Sequence, residues 1–103
     1  MTPTQRSLAL LRERNWAPWV VERWIAPVKR RLDLWNVIDI LCMTEGHVIG
    51  VQTTSGSNVS ARVKKIRECE YFEKMKAANI QLLVHGWRKN SKNRWVLREI
   101  EVV

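Results

Sequence analysis

Residues 36–43 read NVIDILCM, a nearly continuous apolar run rich in β-branched side chains. Such a run is expected of a central strand covered on both of its faces. Thr44, Glu45 and Gly46 then supply a turn, and residues 47–54 (HVIGVQTT) read as the return strand of a hairpin. Everything else is arranged around this pair.

Downstream, residues 55–58 (SGSN) form a loop that ends on a good helix cap. A helix starting at Val59 would put Val59, Val63 and Ile66 on one face. A further helical piece is expected over 70–78. Strands follow at 80–87 (IQLLVHGW) and 94–102 (RWVLREIEV), joined by an exposed polar link. Upstream, residues 4–16 read as a helix with Leu8, Ala9 and Leu11 on its apolar stripe, and Thr4 or Ser7 offers a cap. A second helical stretch is expected over 19–25, ending at Pro27, and a short strand over 32–35. The order predicts an α/β domain over residues 1–103, with a central mixed sheet of four to five strands flanked by helices and the hairpin at its middle.

Composition narrows the partners. Hydrophobic residues make up 46% of the chain, enough for a real core, but no apolar run approaches a membrane span. The N-terminus has neither a long apolar stretch nor a small-residue cleavage site, so a cytoplasmic protein is expected. Cys42 and Cys69 are then reduced packing residues. Their separation fits no zinc pattern, and His47 and His85 stand alone. Eighteen Lys and Arg against ten Asp and Glu leave a net charge of +8. The cations gather in three clusters: Lys29, Arg30 and Arg31; then Arg62, Lys64, Lys65 and Arg67; then Arg88, Lys89, Lys92, Arg94 and Arg98. A surface of this kind attracts a polyanion, most often nucleic acid.

Asp39 is the anomaly, an acid in the middle of the apolar run. Burying a carboxylate costs several kcal/mol unless it is paired or binds a metal, so Asp39 is either a metal ligand or a structural ion-pair partner, for instance of Arg62. Hairpin pairing would bring Gln52 across from it. A carboxylate, an amide oxygen and the Thr53 carbonyl make the hard-oxygen set that Mg²⁺ prefers. Gln52 and Thr54 share a strand face. Glu22 is a second acid among apolar residues, at the edge of the expected second helix. Arg62 and Lys65 share one flank of the basic helix, with Lys64 and Arg67 on the other. Of six tryptophans, Trp16, Trp19, Trp24 and Trp95 are expected in the core. Trp35 and Trp87 are the candidates for stacking on bases.

The ordered set of an early acid, an Asp on a core strand, a Q/E-x-T/K triplet on the next strand and then a basic helix resembles the PD-(D/E)XK nuclease superfamily. It looks closest to its compact bacterial and phage Holliday-junction-resolvase-like and restriction-endonuclease-like members. The stretches VERWIAPVKRRLDLWNVIDIL and GVQTTSGSNVSARVKKI carry the likeness. The resemblance implies a restriction-endonuclease-like core and Mg²⁺-dependent (or Mn²⁺-dependent) hydrolysis of DNA phosphodiesters. It assigns metal binding to Asp39 and Glu22, with Gln52 at the Glu position. Thr54 departs from the pattern, since lysine is usual there. Some members carry that lysine on the following helix, where Lys65 or Lys64 would serve. Lys29, Arg30, Arg31, Arg62, Lys64, Lys65, Arg88 and Lys89 are the expected DNA contacts, and action on junctions implies a homodimer. The rival expectation is a DNA-binding module that keeps the fold without catalysis. A third is a structural subunit of a nucleoprotein assembly.

Overall fold

The apolar run and its return strand do pair, and their hairpin lies within a five-stranded sheet in the computed structural model, which describes all 103 residues. The chain forms α1 (Pro3–Glu13), β1 (Ala17–Val20), β2 (Arg23–Ile25), β3 (Arg30–Leu32), β4 (Ile40–Thr44), β5 (His47–Ser55), α2 (Val59–Arg67), α3 (Phe72–Ala77), β6 (Ile80–Lys89) and β7 (Trp95–Val102). Sheet order is β1-β4-β5-β6-β7. Only β5 and β6 run parallel, joined through α2 and α3, and the other neighbours are antiparallel. β2 and β3 pair only with each other, as a separate ribbon.

Strand alternation divides the core into two layers. Leu82 and Val84 join Val59, Ile66, Phe72 and Met75 on the α2–α3 side. Ile40, Ile49, Val51 and Leu83 join Leu11 on the α1 side. The result is the expected mixed α/β architecture, with helices on both faces and β5 as the middle strand. Gly86 fixes how closely α2 approaches the sheet: a Cβ there would collide with Val59. That contact seats the helix bearing Arg62 and Lys65.

The expected elements fail in informative places. Residues 19–25 are not helical; they divide between β1 and β2. Asn15 turns into the left-handed region (φ 61°) and ends the first helix, and Pro18 opposes helix while being tolerated on an edge strand. The strand expected over 36–43 begins only at Ile40. Residues 34–38 form a tight turn in which Leu34 and Ile38 bridge, while Trp35 and Asn36 adopt positive φ. Val37 and Ile38 are nevertheless buried, because the turn folds back over the α2–α3 layer. The strand expected at 32–35 lies earlier, at Arg30–Leu32. Thr2, not Thr4 or Ser7, caps α1, through a reciprocal capping box with Gln5.

Three of the four tryptophans expected in the core are surface residues: Trp19, Trp24 and Trp95. Trp16 is half-buried beside the α1-side layer. Trp35 is exposed as a stacking residue requires, whereas the Trp87 indole is committed to a hydrogen bond with Ser7. Both cysteines are free, and burial pushes the Cys42 thiol up. No helix is long and apolar enough to cross a membrane.

Candidate metal and nucleic-acid site

Asp39 is the residue just before β4, still held by strand-like pairing. Its N–H donates to the Val51 carbonyl at 2.9 Å, and its own carbonyl accepts from Val21 N–H at 2.9 Å. The residue is 4% exposed. One carboxylate oxygen, Oδ2, accepts from Gln52 Nε2 (3.0 Å), Thr53 N–H (2.7 Å) and the Thr53 hydroxyl (3.1 Å). None of the salt bridges involves Asp39, so pairing with Arg62 is not what stabilises it. The hairpin brings Gln52 and Thr53 to Asp39 as expected, with different chemistry. Gln52 presents its amide nitrogen, and its Oε1 is buried without a hydrogen-bond partner. Thr53 offers the carboxylate its N–H and hydroxyl, not its carbonyl.

Two further acids converge here. Single carboxylate oxygens of Glu22, Asp33 and Asp39 lie within 4.8 Å of one another. Glu22 comes from the connection between β1 and β2, not from a helix. It accepts from Arg31 at 3.1 Å. Asp33 follows β3 directly and joins the candidate residues; its only sequence signal is an acid set between Leu32 and Leu34. Burial, then repulsion from Asp39, raises the Asp33 carboxyl to about 6. The same two causes raise Glu22, with Arg31 opposing them. Crowded carboxylates held against their own repulsion are poised for a cation.

These acids open into a cleft of about 370 Å³ lined, apart from Pro3, by polar and charged residues. Its walls include Thr2 and Thr4 at the start of α1, Arg31, and Arg62 of α2. The Thr4 hydroxyl lies 2.7 Å from that of Thr53, which couples α1 to the carboxylate hub. Lys65 is on the same flank of α2 as Arg62, and its charge draws the Asp33 carboxyl downward. Lys64 faces elsewhere: it meets Glu68 at 4.0 Å and lines a separate cavity with Arg67 and Arg98. Thr54 is buried and does not line the cleft. Lys29 and Arg30 are exposed on the β2–β3 ribbon, and Arg88 and Lys89 at the end of β6. Strand register puts Glu22, Asp39 and Gln52 at one end of the sheet, because Val20 pairs with Ile40, Ile40 with Val51, and Val51 with Leu83, and β6 runs on past that level to Arg88 and Lys89.

Behind the site lies a buried polar chain that the sequence did not disclose. Trp87 Nε1–H donates to Ser7 Oγ (2.8 Å), which meets His85 Nδ1 (2.8 Å), while His85 Nε2 meets Glu99 Oε2 (2.7 Å). Arg14 closes it on Glu99 at 2.8 Å. The hydrogen bond from His85, aided by Arg14, lowers Glu99 to about 2. Ser, His and Glu in this order suggest a nucleophilic triad, but Ser7 and His85 are both 0% exposed. No substrate can reach them, and the chain clamps α1 to the sheet.

Fold and site together define an α/β protein with an acid-centred, cation-rimmed cleft at one end of a mixed sheet. No family model matches the chain, and no curated protein or solved structure is significantly similar to it.

Proposed function

We propose that this protein is a metal-dependent DNA endonuclease of the PD-(D/E)XK type. The observation that carries the reading is the convergence of Glu22, Asp33 and Asp39 within 4.8 Å in a cleft rimmed by Arg31 and Arg62. Three carboxylates are the hard-oxygen donors that Mg²⁺ or Mn²⁺ takes. Gln52 lines the same cleft, and its Oε1 is buried without a hydrogen-bond partner. A divalent cation bound there would supply Lewis-acid activation of water and neutralise charge on a phosphodiester.

The chain's own residues account for the rest. Gln52 and Thr53 hold the Asp39 carboxylate in one orientation. Arg62 binds the phosphate backbone, and Lys65 stands on the correct flank of α2 to stabilise negative charge developing on the scissile phosphate. Lys65, and not Lys64, is therefore the replacement for the lysine absent at Thr54. The basic residues of the β2–β3 ribbon and of β6 extend the surface for DNA, and a homodimer would present two such clefts.

A DNA-binding module without catalysis is the second reading. It is favoured by Thr54, which is buried and brings no cation to the cleft. Nicking of supercoiled plasmid with Mg²⁺ or Mn²⁺, run beside a gel shift, separates the two. Cleavage that disappears in EDTA and in Asp39→Asn supports the nuclease. Retarded DNA without cleavage under either metal leaves the binding module.

A further inference from the structure

The β2–β3 ribbon is packed on neither core layer: Trp24, Ile25 and Leu32 belong to neither apolar cluster. Trp24 is 58% exposed, so its indole face is open to solvent. Between residues 23 and 32 there are four cations, Arg23, Lys29, Arg30 and Arg31, and no acid. The two residues that flank this segment are Glu22 and Asp33, both members of the acid cluster. The ribbon is thus an arm whose base is the candidate metal site.

Cross-strand register tells which side of the arm matters. Trp24 pairs with Arg31, so their side chains share one face of the ribbon, with Cβ atoms about 5 Å apart. Arg31 reaches Glu22 from that face at 3.1 Å. The exposed Trp24 therefore stands one strand spacing from Arg31, whose guanidinium touches the acid cluster. An indole stacks on any base whose face is free, which means an unpaired base and not one within a continuous duplex. A second copy of the chain fits this surface poorly, because the same four cations would oppose one another.

We propose that the β2–β3 ribbon reads unpaired DNA next to the cleft. Trp24 stacks on a base exposed where the duplex is interrupted, and Arg31 holds the adjoining phosphate. The substrate class is then DNA in which a single-stranded arm meets a duplex. This deepens the nuclease reading and rests on it for DNA as the ligand, but it concerns binding alone.

The test is fluorescence anisotropy in EDTA, with a labelled fork and a continuous duplex of matched length, for the whole protein and for Trp24→Ala and Trp24→Phe. Wild-type protein should prefer the fork. Trp24→Ala should weaken fork binding roughly tenfold, the order expected from losing one base–aromatic stack, and change duplex binding less than about twofold. Trp24→Phe should recover most of the loss, which a merely misfolded arm would not permit. Equal losses on both substrates, no loss on either, or a wild type that does not prefer the fork would each overturn the proposal. Because no metal is present, absent plasmid nicking would sink the nuclease reading without touching this result. Intact nicking without fork discrimination would sink this inference alone.

Discussion

The backbone N–H of Thr53 stands 2.7 Å from Asp39 Oδ2, so a carboxylate at the start of one strand is aimed by the main chain of the next. Two more donors, from Gln52 and the Thr53 hydroxyl, converge on the same oxygen. Asp39 is oriented by donors and not by a countercharge, an arrangement suited to a ligand held ready for a cation.

Asp39→Asn should therefore abolish metal-dependent cleavage while leaving the fold intact. The change weakens charge-assisted hydrogen bonds worth about 1.5–3 kcal/mol each, but it also removes repulsion from Glu22 and Asp33. The two effects oppose, and Tm in EDTA should move by only about 5 °C in either direction. Addition of Mn²⁺, which should raise Tm of the wild type, should have no such effect on the variant. A variant that cleaves normally, or a Tm that collapses, contradicts this account.

The acid cluster also predicts how stability depends on pH. Asp33 titrates at about 6 in the folded chain against 3.8 as its ordinary value, so the folded state binds the proton more tightly. Stability in EDTA should be greatest below about pH 4 for this group and decline as pH rises to about 6. Glu22 acts in the same direction. A divalent cation would offset that decline, so the Tm gain from Mn²⁺ should be small at pH 5 and larger at pH 7.5. A gain independent of pH would argue against carboxylate binding.

The two lysines on α2 should separate clearly. Lys65→Ala is expected to lower the cleavage rate by roughly 10²-fold, the usual cost of losing one transition-state charge partner. Lys64→Ala should stay within about twofold, since Lys64 meets Glu68 away from the cleft. Single-turnover nicking rates provide the check.

Salt and charge reversal address the proposed DNA surface. Binding should weaken steeply between low and moderate salt as counterions are released, and a flat response would refute an electrostatic interface. Glu substitutions at Arg62 and Lys65 should weaken binding, whereas Arg12→Glu should not. Arg6 is a poor control, because its guanidinium packs 3.8 Å from the Trp95 ring centre.

Removing the Ser7 hydroxyl tests the buried clamp. Ser7→Ala leaves the Trp87 indole N–H and His85 Nδ1 without a partner, which costs about 1–3 kcal/mol for each group left unsatisfied. Tm should fall, while the cleavage rate of the folded fraction should be preserved. An unchanged Tm would mean that α1 is held by its apolar contacts alone.

β5, β6 and α2 were legible: the two strands because their apolar runs are buried on both faces of the sheet, the helix because Val59, Val63 and Ile66 share one face. The helix expected at 19–25 was not, because its spacing also suits two short exposed strands, and Pro18 with Asn15 decided between them. Asp39 stood out as an acid within an apolar run. Asp33 did not, since a single acid between two leucines carries no signal until the 34–38 turn folds it beside Asp39. The pairing of His85 with Ser7 and Glu99 spans most of the chain, and no local pattern records it.

Because Thr2 and Pro3 form part of the cleft wall, the amino terminus emerges at the mouth of the site. Val102 pairs with Leu82, toward the opposite end of the sheet, and Val103 is exposed there. Any peptide carried ahead of Met1 would pass over the acids and crowd the cleft, whereas one carried after Val103 would leave it clear. Cutting such a leading peptide away would therefore open the acids to a cation or ligand that its presence had kept out.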